Sequence, residues 1–293
     1  MKSIYLITRL YNTGDKIRTC ELENYLKSKG SNLNIYMPYR DVDEDKIKKN
    51  WKKTIFERDI DAINKANILI GYWDGTEYDE GIGFEIGYAL SKNKKIIVLN
   101  SDFLQYNLNY SSYRSKFPDP ILDILGIDFL QKIFKMGKRD SFYNDLKSSK
   151  QALLDAINLD KEDKRNGFEF KQSAESVYDL FIECGSSLIY HNYFMKKNER
   201  NCYISRRFIE QDSVKFAELD LTSLLISKKV YVVANGSEMN LGSSIICGLC
   251  YGHGIPFYLI NDRLNAMISM TGVKMPANLM IDCATEGYTE IHL

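Results

Sequence analysis

Short apolar runs punctuate the first third of the chain. Ser3-Ile4-Tyr5-Leu6-Ile7, Leu33-Asn34-Ile35-Tyr36-Met37, Ile68-Leu69-Ile70-Gly71-Tyr72 and Lys95-Ile96-Ile97-Val98-Leu99 are of strand length and rich in β-branched and aromatic residues. Between them the apolar positions change to helical spacing. Leu22, Tyr25 and Leu26 lead to a stop at Gly30, and Trp51, Ile55, Ile60 and Ile63 mark a second helix. A third is predicted near residues 80–92, where Ile82, Ile86 and Ala89 recur at i, i+4 and i+7 as its buried face. Strands alternating with helices predict an α/β protein whose parallel sheet is covered on both faces. The polar tract 158–167 (NLDKEDKRNG) reads as a linker, giving expected domains of 1–157 and 168–293.

The pattern occurs twice. Residues 74–102 (DGTEYDEGIGFEIGYALSKNKKIIVLNSD) align with residues 235–263 (NGSEMNLGSSIICGLCYGHGIPFYLINDR) at a constant offset of 161. That offset pairs Gly75 with Gly236, Gly81 with Gly242, Gly87 with Gly248, Asn100 with Asn261 and, upstream, Asp59 with Asp220. Several glycines in register on one strand–loop–helix–strand pattern read as a tandem duplication. The second copy has lost its carboxylates, since Asp79 pairs with Asn240 and Glu85 with Ile246.

Composition narrows the class. The 293 residues favour two domains, and 44% hydrophobic with 27% charged residues is globular rather than disordered. Lys+Arg 39 against Asp+Glu 39 leaves no net charge, so no general affinity for nucleic acid or an anionic membrane is expected. No apolar run approaches the roughly 18 residues of a membrane span, and the N-terminus is too short in apolar residues for a signal peptide. Six thinly spread cysteines fit a reduced, cytoplasmic protein better than a disulfide scaffold. Cys247 and Cys250 form a CxxC inside a predicted helix without a second ligand pair, so they read as buried helix cysteines, not zinc ligands. His253 falls at that helix's end, where a cation suits the dipole. The basic clusters near residues 46–53 and 196–207 read as solvated surface. No Walker motif, G-x-G-x-x-G after the first strand or G-x-S-x-G elbow occurs.

The chemistry concentrates in residues 74–90. A strand ending at Tyr72-Trp73 delivers this segment to the carboxyl edge of the sheet, where open α/β folds bind ligands. Asp79 is placed to cap the following helix. Gly81 and Gly83 remove side chains from its first turn and allow close approach. Glu85 projects from or beside the apolar stripe, where a charge costs several kcal/mol unless hydrogen bonds relieve it. Read by itself, Glu85 is either a functional carboxylate or one that flanks the core and pairs with a lysine.

These residues carry a resemblance. From the first strand (IYL) through Arg58, Asp59 and Ala62, then Asp74, Gly75, Asp79 and Gly81, then Glu85, Gly87, Tyr88 and Ala89, the chain is similar to the nucleoside 2-deoxyribosyltransferase family over most of residues 1–102. The resemblance implies two flavodoxin-like, Rossmann-type doubly wound sheets. It implies Glu85 as the nucleophile at C1′ of a 2′-deoxynucleoside and Asp79 as a site carboxylate for sugar or base handling and proton transfer. Pro276-Ala277-Asn278-Leu279-Met280 resembles the family's N-L-M segment, whose asparagine reaches the nucleophile of a neighbouring subunit. The matching stretch of the first half, around Asp119-Pro120-Ile121-Leu122, lacks it. The expectation is an internal pseudo-dimer with one composite active site of Glu85, Asp79 and Asn278. Substrate-binding residues would be Tyr5, Arg9, Tyr11, Asp59, Asp74, Gly75 and Gly81.

Cleaving an N-glycosidic bond develops positive charge at C1′, and a carboxylate beneath the sugar stabilises it and collapses to a covalent adduct. The leaving base needs a proton at a ring nitrogen. Neither cofactor nor metal is required, and the partners are a 2′-deoxynucleoside or nucleotide and a free base. Thr8-Arg9-Leu10-Tyr11 departs from the small-residue run usual after the family's first strand. Tyr11 would stack on the base, and Arg9 either binds a 5′-phosphate or pairs with Asp74 or Asp79. Transfer to a base is the leading reading. Hydrolysis of a nucleoside, nucleotide or nicotinamide dinucleotide at the same site, and a non-catalytic nucleotide sensor, are the alternatives. Monomer and homo-oligomer both stay open.

Overall fold

The computed structural model describes residues 2–9, 13–29, 33–41, 50–73, 79–100, 106–107, 114–115, 119–125, 127–131, 168–170, 175–197, 201–234, 239–261, 267–268, 274–275 and 277–289. In chain order the elements are β1 (Lys2–Ile7), α1 (Thr13–Lys29), β2 (Leu33–Tyr36), α2 (Pro38–Asp41), α3 (Trp51–Lys65), β3 (Ile68–Trp73), α4 (Glu80–Ser91) and β4 (Lys95–Asn100). The short strands β5 (Tyr106–Asn107) and β6 (Arg114–Ser115), the single turn α5 (Ile121–Ile124) and β7 (Asp128–Gln131) follow. Then come β8 (Leu180–Glu183), α6 (Leu188–Lys197), β9 (Cys202–Ile204), α7 (Ser213–Leu225), β10 (Val230–Ala234), α8 (Leu241–His253) and β11 (Phe257–Asn261). The chain ends through β12 (Met267–Ile268), β13 (Lys274–Met275), α9 (Leu279–Ala284) and β14 (Gly287–Thr289).

Two five-stranded sheets result, in the orders β2-β1-β3-β4-β7 and β9-β8-β10-β11-β14. Every neighbouring pair in both is parallel. Counted along the chain, each sheet runs second, first, third, fourth, fifth, the flavodoxin-like order of a doubly wound α/β fold. Three of the strand-length apolar runs became the central strands β1, β3 and β4, as two-sided hydrophobicity requires, and the run at Leu33–Tyr36 became the edge strand β2.

By their contacts the residues fall into two compact units. One holds 1–77, 93–104 and 127–165, the other 78–92, 105–126 and 166–293. Helix α4 and the turn α5 thus cluster with the residues of the second sheet. In the first unit, one face of the sheet (Ile4, Leu6, Ile35, Met37, Ile68, Ile70 and Ile97) packs against Leu22 and Leu26 of α1. In the second, Leu180, Ile182, Val233 and Ile260 pack against Tyr190 and Phe194 of α6. Each such aliphatic or aromatic side chain stabilises the fold by roughly 1.5–3 kcal/mol on burial.

The two sheets repeat a detail on their other faces. Tyr5 stacks on Tyr36 with ring centroids 5.4 Å apart, and Phe181 stacks on Tyr203 at 5.5 Å. The Tyr36 hydroxyl donates to Asp59 Oδ1 of α3 at 2.9 Å, and the Tyr203 hydroxyl donates to Asp220 Oδ1 of α7 at 3.0 Å. No helix among the described residues is long and apolar enough to cross a membrane.

Candidate active site around helix α4

Helix α4 begins where its sequence says it should. The Asp79 side chain caps it, accepting the Gly81 N–H at 2.6 Å and the Ile82 N–H at 3.4 Å. The periodicity predicts one buried face, yet every residue from Glu80 to Leu90 is buried. Helix α8 covers the side that would otherwise face water, and small residues let it come close. A Cβ on Gly87 would fall 2.0 Å from the Ile245 carbonyl oxygen, and one on Gly248 would fall 2.0 Å from that of Phe84. The contact is reciprocal, so backbone meets backbone at both points and no side chain fits at either.

This packing encloses the carboxylates. Asp79 is 8% exposed, Glu80 2% and Glu85 7%. Gly81 lies one turn before Glu85 on the same helix face, and its missing side chain leaves room for Asn278. A Cβ there would sit 2.8 Å from Asn278 Oδ1 and 3.0 Å from both Asn278 Nδ2 and Asp79 Oδ1. Asn278 caps α9, its Oδ1 accepting the Met280 N–H at 3.0 Å, while its Nδ2 donates to Asp79 Oδ1 at 3.3 Å. The sequence-predicted residues Asp79, Gly81 and Asn278 thus meet, with Glu85 on the adjoining turn.

The other predicted site residues belong to the first unit. Tyr5 is wholly enclosed in β1 against Tyr36. Asp59 is buried on α3, and burial pushes its carboxyl up to about 7, although the Tyr36 hydroxyl and Arg58 act in the opposite direction. Arg9 follows β1 and forms an ion pair with Asp15 at 3.7 Å. Tyr11, Asp74 and Gly75 lie outside the described residues.

Two residues at matching positions, Asn240 in the second half and Asp119 in the first, sit in similar caps but with different side chains around them. Asn240 caps α8 through the Gly242 N–H at 3.0 Å, as Asp79 caps α4. Asp119 stands to α5 as Asn278 stands to α9, accepting the Ile121 N–H at 2.9 Å. A Cβ on Gly242 would run into Asp119 Oδ2, at 2.0 Å. Beside them the Arg207 guanidinium is fully buried. Its Nε and Nη2 donate to Asp119 at 2.7 and 2.9 Å, its Nη1 and Nη2 to Glu183 at 2.8 Å each, and its Nη1 also to Asp220 at 3.3 Å. Burial opposes the charge, but Asp119 and Glu183 outweigh it and hold Arg207 protonated. Burial raises Asp220 to about 6 even with Arg207 beside it.

This corrects the sequence reading of residues 196–207 as solvated surface, at least for Arg207. Its partners come from three distant segments, so no local pattern announces them. His253 also departs from expectation. Burial, with Lys92 nearby, lowers its pKa, so the neutral imidazole is favoured over a cation at the end of α8. Cys247 and Cys250 are buried in α8, and burial pushes both thiols up. Glu80, which carries no local sequence signal, sits between Asp79 and Gly81 and is more enclosed than either Asp79 or Glu85.

The strand order of each sheet defines a flavodoxin-like doubly wound α/β protein, and a capped, carboxylate-bearing helix follows the third strand. A family model described as nucleoside 2-deoxyribosyltransferase matches residues 4–162, and the chain belongs to that family. It is 29% identical over 80 residues to the nucleoside deoxyribosyltransferase of Lactobacillus johnsonii, a stretch covering 24% of this chain and 54% of that protein. Its identity to the nucleoside deoxyribosyltransferase of Lactobacillus leichmannii is 33% over 54 residues, covering 18% of this chain and 34% of that one. The chain therefore spans about half the length, or less, of these relatives. Among solved structures, the 2-deoxyribosyltransferase of Bacillus psychrosaccharolyticus is similar at 21% identity, with 36% of this chain and 77% of that chain covered and a TM-score of 0.32.

Proposed function

We propose that the chain transfers 2-deoxyribose between nucleobases through a covalent glycosyl–Glu85 intermediate. One Glu85 carboxylate oxygen bonds to C1′ of a 2′-deoxynucleoside as the C1′–N bond breaks, and the electron pair leaves with the base. The base takes up a proton at a ring nitrogen. A ring nitrogen of the acceptor base then attacks C1′, the C1′–O bond to Glu85 breaks, and the acceptor loses a proton. Glu85 returns as a carboxylate, so charge and protons balance over the cycle.

The observation that carries this reading is the seating of the Asn278 amide over Gly81, with Nδ2 3.3 Å from Asp79 Oδ1, one turn from Glu85. An amide there orients neighbouring carboxylate oxygens, and a low-dielectric enclosure strengthens that orientation. Asp79, fixed by the Gly81 N–H, is assigned to sugar and proton handling. The shared strand order, the paired Asp–Tyr contacts and the matching helix caps support the second half as a diverged copy that supplies Asn278. In that copy Ile246 stands where Glu85 does and Arg207 occupies the interior, so one site operates per chain.

The test is chromatography of the purified protein with 2′-deoxyadenosine or thymidine, with and without a second free base. A new deoxynucleoside that appears only with the acceptor, and is lost in Glu85→Ala, is the expected result. Free base released equally without an acceptor would assign hydrolysis instead. Bound nucleoside with no turnover would assign a sensor.

A further inference from the structure

Glu80 is the carboxylate that the transfer reaction does not use. It opens α4 and is 2% exposed. Such burial is costly for a carboxylate unless donors replace its hydration. Here each oxygen has a backbone donor from a different segment. Oε1 accepts the Met239 N–H, from the residues leading into α8, and Oε2 accepts the Asn278 N–H at 2.9 Å. One side chain therefore joins the start of α4 to the approach to α8 and to the cap of α9. Glu80 is bonded to Asp79 through the chain, and the side chain of Asn278 reaches Asp79. The two contacts, Glu80 to the Asn278 backbone and Asn278 Nδ2 to Asp79, hold Asn278 from both sides.

We propose that Glu80 is a positioning residue of the active site: its buried carboxylate clamps the backbone of Asn278 and so sets where the Asn278 amide lies over Gly81. The inference rests on the composite site described under the proposed function. A carboxylate suits the task because both oxygens accept. A glutamine of the same shape has one acceptor oxygen, and its amide group turns N–H toward one of the two backbone donors. Replacing Glu80 with Gln therefore releases one segment while leaving the volume of the buried site unchanged. A misplacement of about 1 Å at a reacting group costs on the order of 100-fold in rate, so the effect falls on kcat more than on KM.

Two readouts test this on the full chain. The first needs no turnover. In Glu80→Gln, backbone amide exchange accelerates, relative to other protected amides of the same unit, at whichever of Met239 and Asn278 loses its acceptor, whereas unchanged exchange at both overturns the proposal. The second is a double-mutant cycle on the transfer reaction with Glu80→Gln, Asn278→Ala and both together. Asn278→Ala and Glu80→Gln each lower kcat by about tenfold or more, and the double variant is within about twofold of Asn278→Ala because both act through one amide. Multiplying effects, or a Glu80→Gln enzyme with unaltered kcat, overturn the role of Glu80. An unaltered kcat in Asn278→Ala instead overturns the composite site on which the inference stands. Glu80→Asp serves where Glu80→Gln does not fold: it keeps both acceptors but retracts them by one methylene, and the same loss of kcat is expected.

Discussion

Substituting Gly248 with alanine tests how closely α4 and α8 must approach for the site to form. The new Cβ would be 2.0 Å from the Phe84 carbonyl oxygen, where ordinary contact begins at 3.4 Å. It would also lie 2.7 Å from the Tyr88 nitrogen. Both atoms are helix backbone, so no rotamer change relieves the clash, and the axes must separate by on the order of 1 Å. Overpacking of this kind costs about 1–3 kcal/mol, against which alanine returns up to about 1 kcal/mol of helix propensity. The strain should win, leaving the variant less stable by about 1–2 kcal/mol. Glu85 follows Phe84 directly, so separation moves the proposed nucleophile by a similar distance and, on the proposed mechanism, slows transfer by on the order of 100-fold. Urea unfolding followed by circular dichroism reads the first effect, and single-turnover base exchange reads the second. Gly248 is remote from Glu85 in sequence, and Gly87→Ala should behave alike because the contact is reciprocal. A Gly248→Ala protein as stable as the parent, with full activity, would refute this account of the packing.

Three further outcomes are expected. Gly81→Ala displaces the Asn278 amide, because its Cβ would lie within 3.0 Å of both amide heteroatoms; transfer should fall at least about tenfold while the denaturation midpoint shifts by less than about 1 kcal/mol in stability, alanine being the better helix former. Arg207→Met leaves Asp119, Glu183 and Asp220 buried without their cation, which should cost about 3–5 kcal/mol at neutral pH and less in acid, where the carboxylates take up protons; equal urea midpoints for variant and parent would contradict this. Asp59, raised by burial to about 7 from 3.8, favours the folded state fully below pH 3.8 and loses that contribution as pH rises towards 7. Asp59→Asn should therefore flatten the fall in stability over that interval, and an unchanged slope would show that the folded carboxyl titrates normally.

Much of the fold was readable because its signals are local. Four apolar runs of strand length fall on β1, β2, β3 and β4, and Gly30 follows directly after α1. The Asp79 cap and the glycines at 81, 87, 242 and 248 were visible as a spaced pattern, and their purpose emerged once α4 and α8 were seen to touch. Long-range features were not readable. Residues 80–90 are buried all round rather than along one stripe because a helix from far along the chain covers them. Arg207 lies in a basic tract that resembles surface, and only folding brings Asp119, Glu183 and Asp220 to it. Nothing local distinguishes Glu80, a first-turn acid at a helix N-terminus, because its two backbone partners lie some 160 and 200 residues away. Burial also set the titration of His253, against the dipole argument drawn from its position.

The most direct test of the central claim is peptide mapping by mass spectrometry after the protein is mixed with a 2′-deoxynucleoside and quenched in acid. The account predicts a deoxyribosyl adduct on the peptide carrying Glu85, removed when excess acceptor base is added before the quench and absent in Glu85→Gln. Base exchange at the parent rate in Glu85→Gln would contradict it.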